Sequence, residues 1–259
     1  MNDQAIIPAA TILLVRDGPT GLEVFMVVRH HQIDFASGAL VFPGGKIDAN
    51  DASVTDLCDG VDGLDDDEIA MQVGAVREAF EECGVLLARD REGSVISGDR
   101  LASLQEDRAK LNSGDLSLRV FLERESLRLA CDLLVPFAHW ITPEMMPKRF
   151  DTKFYLVDAP SDQLLGHDGY ESVDSIWISP VKALEGNQDG TYTIIFPTRL
   201  NVEMLAESSF VAEAVEASQH RAIKTVLPWT EQREDGNYLC IPADAGYAIS
   251  EERMPPQRK

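Results

Sequence analysis

Two apolar runs near the start of the chain, separated by a polar turn segment, predict β-structure. Two runs rich in β-branched residues, 11–15 and 22–29, flank the turn-forming segment 17–21, so a β-hairpin is predicted. A third apolar run, 39–42, is followed by one proline and two glycines at 43–45, where glycine permits backbone conformations that other residues avoid. We therefore expect a third strand that enters a tight loop.

A helix is predicted after this loop. Residues 68–87 contain no proline, and apolar side chains recur every three or four residues from Ile69 to Phe80, which is the spacing of one helical face. Gly84 is a suitable end for the helix, because glycine readily adopts the left-handed conformation found at helix C-termini. Between the tight loop and the helix, residues 48–67 are rich in Asp, Gly, Asn and Ser and predict an acidic, partly helical loop insertion.

The remainder of the chain predicts further helices and strands. Two helical patterns, 100–111 and 118–134, are separated by the polar segment 112–115 and indicate an inserted helical pair. Further elements are predicted in chain order as strands at 153–157 and 175–178, a long helix at 198–219, and short strands and loops beyond it. No repeat or clear linker divides the sequence, so we expect a single domain over residues 1–259 with insertions at about 48–67 and 98–138.

The composition is that of a folded protein with a strongly acidic surface. Hydrophobic residues make up 44% and charged residues 26% of the 259 positions, which is ordinary for a globular domain. Asp and Glu number 44 against 23 Lys and Arg, for a formal net charge of −21, and such a surface repels polyanions. We therefore expect no nucleic-acid partner, and we expect a divalent cation wherever a phosphate is bound.

Cysteine usage and the chain ends favour a cytoplasmic location. The four cysteines include no CxxC pair, so neither a zinc site nor a redox motif is predicted, and a reducing compartment fits best. The apolar run 5–15 is short, contains Pro8 and lacks a basic segment before it, so no secretion signal or membrane span is expected. The final residues Gln257, Arg258 and Lys259 do not form a peroxisomal address.

Glutamates recur on one helical face in the segment 77–85. Glu78 precedes Glu81 and Glu82 by three and four residues, so the three carboxylates lie on one side of a helix. Like charges at that spacing cost about 0.2–0.5 kcal/mol per pair, so we expect a cation to compensate them. Mg²⁺ or Mn²⁺ suits carboxylate oxygens, water and substrate phosphates. Arg77 precedes Glu81 by four residues, and we expect its planar fork to orient a carboxylate.

This segment resembles the second half of the Nudix box, whose pattern is Arg-Glu-apolar-x-Glu-Glu-x-Gly-apolar. All seven specified positions from Arg77 to Val85 match, and residues 42–45, Phe-Pro-Gly-Gly, strengthen the likeness. The resemblance implies an α/β fold, the Nudix α/β/α sandwich with a mixed sheet, here enlarged by the acidic loop and the helical insertion. It also implies hydrolysis of a diphosphate by a metal-activated water. Glu78, Glu81 and Glu82 would then hold the metal, with one of them doubling as base.

The chain departs from the common Nudix pattern in two ways. Between Gly45 and Arg77 there are 31 residues, 18 more than the 13 of the common box. Ile69 stands where the first glutamate of the pattern is expected, and Glu68 lies one position earlier. The role of Glu68 is therefore left open.

A longer pattern resembles a subgroup, the Nudix hydrolases of mammalian peroxisomes that cleave coenzyme A and its acyl esters. It consists of residues 42–48 followed by Asp51, residues 148–155, and Trp177 with Pro180. This likeness spans most of the chain and implies coenzyme A or acyl-coenzyme A as the small-molecule nucleotide substrate. Hydrolysis of ADP-ribose or NADH stays open as an alternative. A non-catalytic nucleotide sensor is a second alternative, against which the retained glutamates speak.

Four further positions are candidates for the site. Glu171, in a loop before a predicted strand, is expected to supply a metal ligand or the general base, with an exposed loop glutamate as the alternative. Gly45, Arg29 and Arg149 are expected to contact the substrate, the two arginines by facing phosphates. For the arginines, structural pairing with the many carboxylates is at least as plausible. The sequence makes no prediction of oligomeric state.

Overall fold

The computed structural model describes residues 5–29, 38–163 and 172–255. In chain order its strands are β1 (Ile7–Gly18), β2 (Gly21–Arg29), β3 (Leu40–Val41), β4 (Gly44–Lys46), β5 (Cys58–Asp59), β6 (Ala88–Arg89), β7 (Arg128–Ala130), β8 (Val135–Ile141), β9 (Phe150–Asp158), β10 (Ser172–Ile178), β11 (Thr225–Val226), β12 (Trp229–Arg233), β13 (Gly236–Cys240) and β14 (Glu251–Arg253). Its α-helices are α1 (Asp66–Glu78), α2 (Gly98–Ala102), α3 (Gln105–Asn112), α4 (Leu118–Glu125), α5 (Pro180–Asp189), α6 (Phe196–Leu205) and α7 (Val211–His220). Short 3-10 helices lie at Asp51–Leu57 and Cys131–Leu133, and a π-helical turn lies at Ala79–Cys83.

A mixed sheet forms the middle layer. In the described residues it has eight strands, with the order β10-β2-β1-β9-β8-β11 and with β3 beside β2 and β4 beside β1. The pair β1–β9 is parallel, whereas β1–β2 and β8–β9 are antiparallel. The predicted hairpin of β1 and β2 is thus confirmed. Two small three-stranded sheets, β5-β7-β6 and β12-β13-β14, lie outside the central one.

Both faces of the central sheet are covered by helices. Successive side chains of a strand point to opposite faces, and β1 follows this rule. Ile12 belongs to the apolar cluster that contains Val73 and Val76 of α1. Leu13 belongs to the second cluster, with Leu200 of α6 and Ala214 of α7. The α/β/α sandwich with a mixed sheet is therefore confirmed.

Helix α1 begins and ends where the sequence favours it. The Asp65 side chain accepts a hydrogen bond from the Glu68 backbone N–H (2.8 Å), which caps the helix, and acidic residues of the first turn suit its positive end. After the π turn, Gly84 adopts a left-handed conformation with φ 73°. The helix therefore ends at the predicted glycine, although its last turn is not α-helical.

Three predicted helices differ from the structure. The helix predicted over 100–111 is divided into α2 and α3 by a turn at residues 103–104. The helix predicted over 118–134 ends at Glu125, and the following segment forms β7, which pairs with β5 and β6. The helix predicted over 198–219 is two helices, because backbone groups at the break bond to the β1–β2 hairpin instead. The N–H of Val211 donates to Asp17 Oδ1 (2.9 Å), and the Ser209 carbonyl accepts from the Leu22 N–H (2.7 Å). Periodicity within one segment carries no information about such tertiary bonds.

The cysteines are buried free thiols. Cys58 and Cys131 belong to the same apolar cluster, although they are far apart in the sequence. Within the described residues, no helix combines the length and apolar character that a membrane span requires.

Candidate active site

The three predicted metal-binding glutamates lie where α1 passes into the π turn. Glu78 is the last residue of α1, and Glu81 and Glu82 belong to the turn. Gly84 closes the turn, since its N–H bonds back to the carbonyls of Ala79 and Phe80. Single π turns inside helices occur frequently at functional sites. The α-helical spacing predicted from the sequence therefore places the three glutamates at the end of the correct helix. It does not give the relative directions of their side chains, because the last turn is a π turn.

Arg77 is the centre of a hydrogen-bond network. Its Nη1 donates to Glu78 Oε1 and to Glu81 Oε2, both at 2.9 Å. Its Nε and Nη2 donate to the two carboxylate oxygens of Asp51, at 2.9 and 3.1 Å, and Nη2 also donates to the Lys46 carbonyl at 2.8 Å. Burial lowers the pKa of Arg77, but the bond to Asp51 and the neighbouring glutamate charges outweigh it, so the pKa lies above its ordinary value. The predicted orienting role of Arg77 stays a prediction, and these contacts support it.

Asp51 is a residue of this network that sequence reasoning did not place in the site. It begins the 3-10 helix of the acidic loop insertion, and only 1% of its surface is exposed. Besides Arg77 it binds the Asp48 N–H, which donates to Asp51 Oδ2 at 2.8 Å. Two signals in the sequence were available: its presence in the longer pattern of the coenzyme A subgroup, and its position six residues after Gly45, where the common Nudix box has its first glutamate. Its burial beside Arg77 is a tertiary fact.

The glycine loop contacts two of the glutamates. The Gly44 N–H donates to Glu82 Oε2 at 2.8 Å, and Glu82 is only 7% exposed. A Cβ added to Gly45 would lie 2.5 Å from the carboxylate of Glu78, so the bare backbone forms a cradle for that group. Pairing of β4 with β1, and packing of α1 against both strands, bring loop and helix together.

The cluster concentrates negative charge in a poorly solvated place. One arginine faces the carboxylates of Asp51, Glu78 and Glu81, whose side chains are 2%, 14% and 13% exposed. Burial raises the pKa of Glu81, and the Arg77 charge and hydrogen bond oppose this shift. Half-buried and buried carboxylates this close together favour a cation among them.

The Glu68 side chain contacts strand β9 rather than the glutamate cluster. The Lys153 ammonium donates to Glu68 Oε2, and the Tyr155 hydroxyl donates to Glu68 Oε1 at 2.9 Å. Burial, and then the Glu68 charge, raise the pKa of Tyr155. Lys153 and Tyr155 belong to β9, so Glu68 ties the start of α1 to the sheet. The residue nearest to the missing first glutamate of the common pattern is therefore engaged in a structural contact.

The remaining candidates are not brought to the glutamates by a described contact. Arg149 precedes β9, and its Nε donates to the Thr142 carbonyl at 3.0 Å. Arg29 ends β2, and its side chain lies outside the described part of the structure, as does Glu171 altogether. Their roles remain predictions.

The three glutamates provide the oxygen ligands that a divalent cation prefers. Three glutamates on adjoining turns offer hard oxygen ligands, and the Gly45 cradle holds one of them close to the loop. In the positions found here the carboxylates turn toward Arg77 and Gly44. Across the described residues, no three acidic, histidine or cysteine side chains converge on a point at metal-binding distance.

The sequence matches a family model. Residues 59–204 match the model described as the NUDT19 Nudix domain, which includes α1 and the glutamate cluster.

Two curated relatives extend the comparison. "Putative nudix hydrolase 7" of Caenorhabditis elegans is 28% identical over 199 residues, which cover 77% of this chain and 60% of the relative. The human protein named "Acyl-coenzyme A diphosphatase NUDT19" is 26% identical over 273 residues, which cover 88% of this chain and 72% of the relative. The chain thus spans less than two thirds of the nematode relative.

A solved structure shares the fold. The crystal structure of a Nudix hydrolase from Alicyclobacillus acidocaldarius is 29% identical to this chain and superimposes with a TM-score of 0.66. The match covers 83% of this chain and 97% of that protein. The sandwich around α1 is therefore that of a Nudix hydrolase.

Proposed function

The chain belongs to the Nudix family represented by the NUDT19 Nudix domain, and from that membership we propose that it hydrolyses the diphosphate linkage of coenzyme A or acyl-coenzyme A. It is a Nudix diphosphatase, and the choice of substrate is the proposed part. The main structural support for a diphosphatase site is the Arg77 network, which holds Glu78 and Glu81 beside the Gly45 loop.

The residues of the cluster suit a reaction at a diphosphate. A bound Mg²⁺ or Mn²⁺ would activate water and neutralise charge that builds on the phosphate oxygens. Glu78, Glu81 and Glu82 would hold this ion. Arg77 fixes the carboxylate directions, and the Gly44 N–H fixes Glu82. One of these glutamates, or Glu171, would take the proton from the attacking water.

The substrate proposal rests on relatives and on sequence pattern. The human relative is named an acyl-coenzyme A diphosphatase, and this chain aligns with 72% of it. The pattern that includes Asp48, Asp51 and Arg149 resembles the coenzyme A subgroup. Cleavage would give adenosine 3′,5′-bisphosphate and phosphopantetheine or its acyl derivative. We place the reaction in the cytoplasm, a location that the four free thiols suit.

We expect coenzyme A to be cleaved with a kcat/KM about tenfold or more above that of ADP-ribose or NADH. The 3′-phosphate and the pantetheine arm offer remote groups whose binding aligns the diphosphate, and one contact to a charged group contributes about 1.5–3 kcal/mol. The measurement is a substrate panel assayed with and without Mg²⁺, with dephospho-coenzyme A as the matched comparator. Equal kcat/KM values for coenzyme A and dephospho-coenzyme A would show that the enzyme makes no productive contact with the 3′-phosphate.

The same panel separates the alternatives. A preference for ADP-ribose would contradict the proposed substrate but would not affect the diphosphatase assignment. Binding of nucleotides without turnover of any diphosphate would favour the sensor.

Mg²⁺ is expected to raise the melting temperature of the protein. A ligand that binds only the folded state stabilises it by about 1.4 kcal/mol at tenfold excess over Kd, because the stabilisation is RT ln(1 + [L]/Kd). For a chain of this size that corresponds to a shift of roughly 2–5 °C. Thermal unfolding in millimolar Mg²⁺ is compared with unfolding in NaCl of equal ionic strength. Coinciding curves would argue against the cation site.

A further inference from the structure

A side chain of the helical insertion reaches the π turn that carries two of the glutamates. Arg108 of α3 donates from Nε to the backbone carbonyl of Glu81 at 3.1 Å. We propose that Arg108 is a positioning residue of the diphosphatase site, which holds the main chain of Glu81 so that its carboxylate is presented to a divalent cation. The proposal rests on the proposed function of this same site.

Helix α3 is held against the π turn by apolar packing. Leu104 and Leu111 lie four residues before and three residues after Arg108, so the three side chains share one helical face. Both leucines are buried in the apolar cluster that contains Phe80 and Cys83 of the turn. Arg108 is half-buried between them and the turn. Its guanidinium therefore extends from a fixed base.

The Glu81 carbonyl is left without its helical partners, because the helix ends around it. In an α-helix it would accept from the N–H of Val85, and in a π-helix from the N–H of Leu86. The Val85 N–H instead donates to the Ala79 carbonyl at 3.3 Å. The Leu86 N–H donates to Gln163 Oε1 at 3.1 Å. Carbonyls at a helix C-terminus carry partial negative charge, so a guanidinium is a suitable partner.

Two further contacts set the direction of the guanidinium. Gly84 closes the turn with φ 73°, and a Cβ added there would lie 2.9 Å from Arg108 Nη1. The missing side chain lets the guanidinium lie against the end of the turn. Nη1 also donates to Gln105 Oε1 at 3.3 Å. Because the group is planar, the contacts of Nη1 and the bond from Nε together fix its orientation.

Glu81 is thereby held by two arginines, one at each end of the residue. Arg77 Nη1 donates to the carboxylate at 2.9 Å, and Arg108 Nε donates to the main-chain carbonyl. The first contact aims the carboxylate, and the second fixes the point from which the side chain extends. Partners that orient metal ligands affect metal affinity as well as activity. The helical insertion thus has a task at the site, although it lies outside the Nudix box.

The test replaces Arg108 by methionine, which keeps most of the aliphatic stem and places a methyl group where Nε donates. Arg108→Met is expected to weaken Mn²⁺ binding about tenfold or more, the range found when outer partners of metal ligands are altered. Mn²⁺ affinity is measured without substrate by the electron paramagnetic resonance signal of the free ion. At saturating Mn²⁺ we expect kcat to fall while KM changes little, because Arg108 acts through Glu81 rather than through the substrate.

Arg108→Gln separates the hydrogen bond from the charge. The glutamine amide nitrogen takes the place of Nε, so the donor to the Glu81 carbonyl is kept and the guanidinium is lost. We expect this variant to recover most of the Mn²⁺ affinity and kcat that Arg108→Met loses. Equal losses in both variants would show that the bond to the Glu81 carbonyl is not what positions the glutamate.

Arg124→Met is the matched control, because it makes the same change within the same insertion. Arg124 lies on α4 and pairs with Asp107 of α3 and with Glu125, and its side chain is 46% exposed. These ion pairs tie the two helices together and do not involve the π turn. The control should therefore keep the Mn²⁺ affinity and kcat of the wild type. If Arg108→Met also keeps both and lowers only the melting temperature, Arg108 is structural and the proposal is wrong.

Failure of this proposal and failure of the proposed function give different results. Should Arg108→Met not fold, Arg108→Lys takes its place, since it keeps the charge and the stem but has a methylene where Nε donates. Weakened Mn²⁺ binding in that variant supports the proposal, and unchanged binding overturns it. A wild-type protein that neither binds Mn²⁺ nor hydrolyses any diphosphate would overturn the proposed function itself. An active wild type with an unaltered Arg108 variant overturns the positioning role alone.

Discussion

Glu82→Gln is expected to lower kcat by about 10²- to 10⁴-fold while the protein remains folded, which is the scale of losing a catalytic acid–base group or a metal ligand. Glu82 is 7% exposed and accepts the Gly44 N–H. Glutamine keeps the side-chain length and a carbonyl oxygen for that bond, so the glycine loop retains its anchor. What is lost is the negative charge, which makes a carboxylate a much stronger ligand than an amide for a hard cation and lets it accept a proton.

The measurement is steady-state turnover at saturating substrate, with Mg²⁺ varied from micromolar to tens of millimolar. Asp67→Asn is the matched control, because Asp67 is an exposed carboxylate in the first turn of the same helix. It should leave kcat within about twofold, since surface charges at a helix end contribute only a few tenths of a kcal/mol. Wild-type turnover by the Glu82 variant would exclude Glu82 from the chemistry.

The parts of the site that are local in sequence could be predicted. Arg77 and the three glutamates fall within one turn and a half of helix, so residue spacing places them together without tertiary information. The glycine loop was also recognisable, since Gly44 and Gly45 follow a strand-like run. The close approach of Gly45 to Glu78 explains why this loop belongs to the site.

Contacts across long sequence separations could not be predicted from spacing. Asp51 is 26 residues from Arg77, and Glu68 is 85 residues from Lys153. The local sequence around a carboxylate in an acidic loop insertion is the same whether that carboxylate is solvated or buried. Only the packing of loop against helix separates the two cases, and that packing depends on the whole sheet.

The fold shows the same division between local and tertiary information. The two apolar runs around a turn-forming segment identified the hairpin of β1 and β2, and the apolar face of α1 identified the helix. The break between α6 and α7 was missed, because Asp17 of the hairpin holds the Val211 N–H. That bond terminates a helical pattern that the sequence alone would continue.

Gly45→Ala is expected to abolish most of the activity without unfolding the protein. Its new Cβ would lie 2.5 Å from the Cδ and both carboxylate oxygens of Glu78, so that carboxylate must move. Gly45 does not have a positive φ, and an alanine therefore fits its backbone. We expect kcat/KM to fall about 10²-fold or more, because a displacement near 1 Å in a catalytic group has effects of that order.

The neighbouring glycine gives the contrasting case for the same experiment. Gly44 has a φ of 154°, and a Cβ there would lie 2.3 Å from the Ala10 carbonyl oxygen and 2.6 Å from Thr11 Cα. These are backbone atoms of β1 and cannot move aside as a side chain does, so Gly44→Ala should destabilise the fold by about 2 kcal/mol or more. Circular dichroism melting and turnover, measured on both variants, should show lost activity at a near-native melting temperature for Gly45→Ala and a lowered melting temperature for Gly44→Ala. Full activity in Gly45→Ala would mean that Glu78 does not need its present position, and the role of the glycine cradle would have to be given up.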